Sequence, residues 1–175
     1  MECRVAVAVL AVGLAMLSAC GATPPPTRGV SLSSGFVSLE HRSSMSSSFV
    51  LIGASATLDG EPFGAVSVDV SPEGEAQGLR VPLCLGRRTV ATGMHHLTLE
   101  LTYVGQGYGV FSYLRDYRFR ARGELDVELP EDASGVAVIS TGYENGGAAT
   151  PLEDRPSISW HVDVVRFEAA RGCEP

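Results

Sequence analysis

The chain has no lysine. All 13 of its basic residues are arginine, set against 20 acidic ones, and the formal net charge is −7. Arginine-only usage reads as the codon bias of a GC-rich genome rather than as phosphate recognition. The acidic balance disfavours nucleic acid and anionic lipid as partners. Beyond the N-terminal apolar run no segment recurs with the 3.6-residue period of a helix, so βαβ crossovers are excluded. Cysteine is scarce, four in 175 residues with no Cys-x-x-Cys, and the usual zinc and redox spacings are missing. Serines are many, yet none stands in Gly-x-Ser-x-Gly or Ser-x-x-Lys, so no nucleophile is marked. No motif implies a cofactor.

What is present begins at the N-terminus. Arg4 precedes an uncharged apolar run over residues 5–17, 13 residues long. That suits the core of a signal peptide and falls short of the roughly 20 residues needed to span a bilayer. The run closes on Leu17-Ser18-Ala19-Cys20-Gly21, which resembles the lipobox of bacterial lipoproteins. The resemblance implies that residues 1–19 are removed, that Cys20 carries the lipid anchor, and that the protein is exported to the cell envelope. Gly21, where an Asp would retain the protein at the inner membrane, implies the outer membrane. Removing the first 19 of 175 residues leaves 156 and takes away Glu2 and Arg4, whose charges cancel. That length suits one domain with its own core.

Residues 20–30 form a tether, with Pro24, Pro25 and Pro26 favouring a polyproline-type spacer of about 3 Å per residue. Residues 31–175 form the domain. With Cys3 cleaved off and Cys20 acylated, Cys84 and Cys173 remain, an even pair in an oxidising compartment and therefore a predicted disulfide. It closes a loop of about 90 residues, worth about 4 kcal/mol in the chain-entropy model. The Ser-rich stretches 31–34 and 43–48 are either flexible or the polar face of early strands.

Beyond them the pattern is β. Val50, Ile52, Ala54, Ala56 and Leu58 share one face, Asp59-Gly60 signals a hairpin, and Val66, Val68 and Val70 return. Leu79, Val81, Leu83 and Leu85 form another inward set with Cys84 pointing away, and Pro82 argues for an edge strand. Leu97, Leu99, Leu101 and Tyr103 point in. Later strands cover residues 136–143 and 158–167, where a parity change from Trp160, Val162 and Val164 to Val165 and Phe167 predicts a β-bulge near Val164. Residues 117–129 read as a hairpin closed by Ala121-Arg122-Gly123, with Gly123 left-handed, Phe119 facing Leu125 and Tyr117 facing Val127. That register sets Arg120 opposite Glu124 and Arg118 opposite Asp126, so the arginine stripe reads as cross-strand pairing rather than an anion site.

Seven to nine antiparallel strands with one alternating face each imply a single all-β sandwich. Leu58-Asp59-Gly60-Glu61-Pro62 and Gly93-Met94-His95-His96-Leu97-Thr98-Leu99 resemble the hairpin and strand entry of prealbumin-like and PEGA-type sandwiches, themselves Ig-like in architecture. With Gly107-Tyr108-Gly109-Val110-Phe111-Ser112-Tyr113 and Pro151-Leu152-Glu153-Asp154-Arg155-Pro156, the arrangement is similar to lipoproteins of GC-rich Gram-negative bacteria. That resemblance implies a fold and a location and carries over no catalytic residue.

Chemical candidates are few. His95 and His96 are adjacent in a strand and leave opposite faces, so they do not share a metal. His161 and Asp163 share a face and need a third ligand such as His41. Tyr108 sits in a glycine-rich loop, and with Gln106, Arg115 and Asp116 it forms the candidate ligand-binding set, suited to a sugar or a peptide. Two classes of function follow: a membrane-anchored, non-enzymatic binding or assembly module with an envelope protein or glycan as partner, or a hydrolase of envelope polymers using carboxylates such as Glu144, Glu153 or Asp154. The anchor is tested first. Cys20→Ser is expected to yield an unprocessed precursor that incorporates no labelled fatty acid, and a labelled, processed variant would remove the anchor.

Overall fold

Strict alternation makes the strand β5 (Gly93–Gly105) the clearest element, and the rest of its sheet is built on it. In the computed structural model, which describes residues 32–68, 78–106, 117–147 and 149–166, Leu97, Leu99, Leu101 and Tyr103 turn inward and are fully buried. The other strands are β1 (Ser34–Ser43), β2 (Phe49–Leu58), β3 (Glu61–Ser67), β4 (Leu83–Ala91), β6 (Arg118–Leu129), β7 (Gly135–Glu144) and β8 (Pro156–Val165), with a turn of 3-10 helix at Leu152–Asp154. They form two four-stranded sheets, ordered β4-β1-β7-β8 and β3-β2-β5-β6. The chain is thus an all-β sandwich, with one departure from antiparallel pairing: β1 and β7 run parallel.

β1 occupies a central place in its sheet, between β4 and β7. The serine-rich stretches are not the polar face of a strand: Ser34 and Ser43 end β1 and residues 44–48 connect it to β2, while Val37 and Leu39 between them are fully buried. In β2 the expected face is corrected. Register slips between Leu51 and Gly53, so Ile52 is an extra residue and parity reverses there. Phe49 and Leu51 point inward before the slip and Ala54, Ala56 and Leu58 after it, leaving Val50 half-buried. Asp59 and Gly60, with φ of 54° and 81°, make the expected two-residue turn, as a type I′ hairpin requires. On the return strand Val66 packs against the core and Val68 is half-buried, while Val70 lies outside the described residues. Leu83 and Leu85 face the core as expected and β4 is an edge strand. Val81 departs from its set at 41% exposed, because it precedes the strand.

The predicted hairpin over residues 117–129 is overturned. β6 is one uninterrupted strand, paired with β5 from Arg118 opposite Val104 to Leu129 opposite Gly93. Its odd residues share a face because a single strand gives them the same parity. Gly123 is not left-handed; it serves close approach. A Cβ there would stand 3.0 Å from Trp160 Cζ2 and 3.3 Å from Ile158 Cβ, so the missing side chain is what lets β8 close against β6. Arg120 faces Thr102 and Arg118 faces Val104, not Glu124 and Asp126. Tyr117, expected to face Val127, precedes the strand and is 56% exposed. The bulge near Val164 is absent as well: β8 pairs with β7 without a slip. The parity change reflects an edge strand whose Val162 and Val164 emerge from the core.

At the opposite seam β3 meets β4. A Cβ on Gly64 would overlap the Leu85 carbonyl, and Arg88 donates to the Pro62 carbonyl across the gap. Because the obstruction is backbone, it cannot rotate away. Gly64→Ala is therefore expected to cost about 3 kcal/mol or more, while Gly123→Ala, which meets only movable side chains, costs clearly less. Denaturant unfolding of both variants checks the order.

Candidate functional site

The sequence-predicted binding set is only partly in view. Gln106 follows β5, where its N–H donates to the Ser48 carbonyl at 2.8 Å; Tyr108, Arg115 and Asp116 lie outside the described residues. Beside Gln106 stands exposed Tyr117, 5.8 Å from the Phe119 ring, which in turn meets Phe49 edge-on at 5.1 Å. Cys84 on β4 is disulfide-bonded, whereas Cys20 and Cys173 lie outside the described residues.

The histidines separate by environment. His161 Nε2 lies 3.1 Å from Asp163 Oδ1 in solvent. His41 is on the opposite, inner side of that sheet and fully buried, so the proposed third ligand is unreachable. Among the described residues no group of three or more His, Cys, Asp or Glu side chains converges as a metal site. Glu144, one of the acidic candidates, accepts the Ser46 N–H at 2.8 Å, and Glu153 and Asp154 stand exposed on the 3-10 turn.

His41 Nδ1 is 3.0 Å from Ser140 Oγ, a separation suited to a base and a nucleophile, but both residues are sealed in the core. Ser140 directs its hydroxyl hydrogen to the Glu40 carbonyl. Nδ1 therefore carries the imidazole proton and Nε2 is a bare acceptor. That Nε2 and the Tyr103 hydroxyl are both buried without a hydrogen-bond partner among the described residues, and a Cβ on Gly142 would meet Tyr103 Oη and His41 Cε1. Burial pulls the His41 pKa down to about 4 and pushes the Tyr103 phenol up. No substrate reaches this pair.

A second histidine has the opposite character. His95 Nδ1 lies 2.7 Å from Asp59 Oδ2 and its Nε2 lies 2.8 Å from the Ala91 carbonyl. Both partners are acceptors, so the protonated ring satisfies both. Burial alone would lower the His95 pKa, but the Asp59 and Ala91 hydrogen bonds and the Asp59 charge raise it. The bonds from His95 and the His96 N–H lower that of Asp59. This cluster ties the β2–β3 turn to the β4–β5 corner.

The open feature is a groove of about 590 Å³ across the outer face of the second sheet. Gly53 and Ser55 of β2 and Ala65 and Ser67 of β3 make a low floor, while Glu100, Thr102, Arg120 and Arg122 rise on the other side. Arg122 is held by Glu124 at 2.9 Å and Glu100 at 3.5 Å. Arg120 has no ion-pair partner among the described residues. The sequence reading missed this groove because it assigned the arginines partners across a turn that does not exist. Its chemistry is hydroxyls, a carboxylate and guanidinium groups: hydrogen bonds and charge for a ligand lying across the strands.

The two histidines set the pH response. His41 binds its proton near 6.5 unfolded and near 4 folded, so stability is lost as pH falls across that interval, by on the order of 3 kcal/mol. The His95 contribution has the opposite sign: it is full below 6.5 and lost as pH rises through the raised folded value. The summed contribution of these two groups is therefore largest near pH 6.5. His41→Gln, which keeps a polar neighbour for Ser140, is expected to remove the loss between pH 6.5 and 4 in urea unfolding. An unchanged slope would assign it elsewhere.

No protein family, curated protein or solved structure matches this chain.

Proposed function

We propose that the chain is an exported, lipid-anchored, non-enzymatic module that binds or assembles with other envelope components through the outer face of its second sheet. The observation that carries the reading is the groove over Gly53, Ser55, Ala65 and Ser67, open along its length and flanked by the unpaired Arg120. A trough across four strands, with a floor of small residues and hydroxyl, carboxylate and guanidinium groups along it, suits an extended polymer or peptide whose polar groups those side chains can meet. The lipobox-like Leu17-Ser18-Ala19-Cys20 and the proline-rich tether supply the anchor at the outer membrane and the spacer. Cys84 pairing with Cys173 would bind the chain's C-terminal end to an edge strand and stiffen the domain. The likeness to prealbumin-like and PEGA-type sandwiches belongs to the same reading, as a platform rather than an enzyme.

The reading is tested by photo-crosslinking in intact cells. A photoreactive residue at Ser55 or Ser67, in the groove, is expected to capture a discrete envelope component. One at Ser159, exposed on the other sheet, is expected to capture none. Equal capture from all three sites, or none from the groove, would overturn the assignment.

A further inference from the structure

Residues 118–128 read Arg-Phe-Arg-Ala-Arg-Gly-Glu-Leu-Asp-Val-Glu. About Gly123 this order is self-complementary: Arg118 mirrors Glu128, Arg120 mirrors Asp126 and Arg122 mirrors Glu124. Within one chain only Arg122 and Glu124, two apart on the same face, pair with each other; Asp126 pairs with His96 instead, and Arg118 and Arg120 cannot reach Glu128 and Asp126 along a single strand. That strand is the edge of its sheet. We propose that β6 pairs antiparallel with β6 of a second copy, about a twofold axis through Gly123, joining two four-stranded sheets into one of eight.

The backbone is set for it. The His96 N–H and C=O are both directed to Asp59, on the β2 side. By alternation the odd residues of β5 face β6 and bond to its odd residues, and the even residues of β6 point their N–H and C=O away from the sheet. Those even residues are the ones that carry the charges, so the register that matches the charges also matches the hydrogen bonds. Arg118 and Glu128 form no ion pair with any described residue, and each is left for the other's copy. Slipping the register by two residues would set Arg122 against Arg122 or Glu124 against Glu124, and a parallel arrangement would oppose like charges throughout. Trp160 and Ile158, half-buried over Gly123, lie beside the axis and add apolar contact there.

Of the other three edges, β8 is regular but lacks a self-complementary charge order, with only His161 and Asp163 charged or titratable along it, and the remaining two are interrupted. β3 carries Pro62 and a slipped register at Phe63, and β4 slips against β1 and is backed by β3. β6 is 12 residues long, without proline or bulge, and such an edge recruits a partner unless something prevents it.

The test uses two differently tagged copies of the full chain, produced together in cells and purified in detergent. Wild-type copies are expected to co-purify. Arg118→Glu with itself and Glu128→Arg with itself should each lose about tenfold or more in recovery, because like charges then oppose across the axis. Arg118→Glu with Glu128→Arg should recover it, which also shows that both variants fold. Neither position lines the groove, so capture from Ser55 stays independent of this result. Wild-type copies that fail to co-purify, or recovery that is the same for every pairing, would overturn the proposal. Pairing of the wild type with a different protein instead of itself would do the same.

Discussion

The inner row of β5 is the constraint on which the second sheet depends. Leu97, Leu99, Leu101 and Tyr103 are sealed from solvent, and the middle two fix their cross-strand neighbours by size. Leu99 faces Ala56 on one side and Gly123 on the other, and Leu101 faces Ala54 and Ala121. Large side chains in the middle strand thus stand between small ones, and the space above the small ones is filled from the other sheet. At Gly123 that filling is Trp160 and Ile158. A one-residue slip of β5 would expose its leucine row and set His96, Glu100 and their neighbours in the core, so the burial of a few side chains specifies the register of the sheet. Close packing at that level explains why glycines mark both seams.

Against this apolar interior, the His41 and Tyr103 pair is an anomaly of a consistent kind. Two polar atoms without partners cost on the order of 1 to 3 kcal/mol each when buried. Both residues border Gly142 of β7, where a Cβ would meet Tyr103 Oη and His41 Cε1. The neutral imidazole is the form the core tolerates, whereas the charged imidazole of His95 is the form its acceptors at the surface require. The same residue type is therefore stabilised in opposite protonation states at two depths, and the direction of each shift follows from its surroundings alone.

How far these features were legible in the sequence depends on whether parity was enough. It was for β5 and for the Asp59-Gly60 turn, where alternation is strict and the turn chemistry local. It failed at β2 because a bulge at Ile52 leaves no trace in apolar spacing. It also failed at Gly123, where a glycine between two alternating runs has the same appearance whether it turns the chain or admits a tryptophan from another sheet. β1 was left open, since its serines are read correctly only once a neighbour on each side is known. Of the candidate site, Gln106 was identified as polar at a strand end. The groove was not, because its floor is defined by small residues of β2 and β3 that become neighbours only through the fold. The arginine and acid order of β6 is plain in the sequence, but a strand and a hairpin place its partners differently. Its complementarity was sound and its assignment to a hairpin was not.

That complementarity has a further consequence when joined to the proposed anchor. A tether of residues 20–30 at about 3 Å per residue holds the domain within roughly 30 Å of the membrane. Like copies then share a thin layer, and linking raises the effective concentration toward the millimolar range. Edge pairing that is weak in dilute solution becomes populated there without any added contact area. A charge pattern that sets a like pair at the centre of each neighbouring in-phase register is then the appropriate device, since crowding strengthens wrong pairings as readily as the right one. On this view the edge of β6 is protected from indiscriminate strand addition because its charges and its hydrogen-bonding phase together favour one alignment over its neighbours.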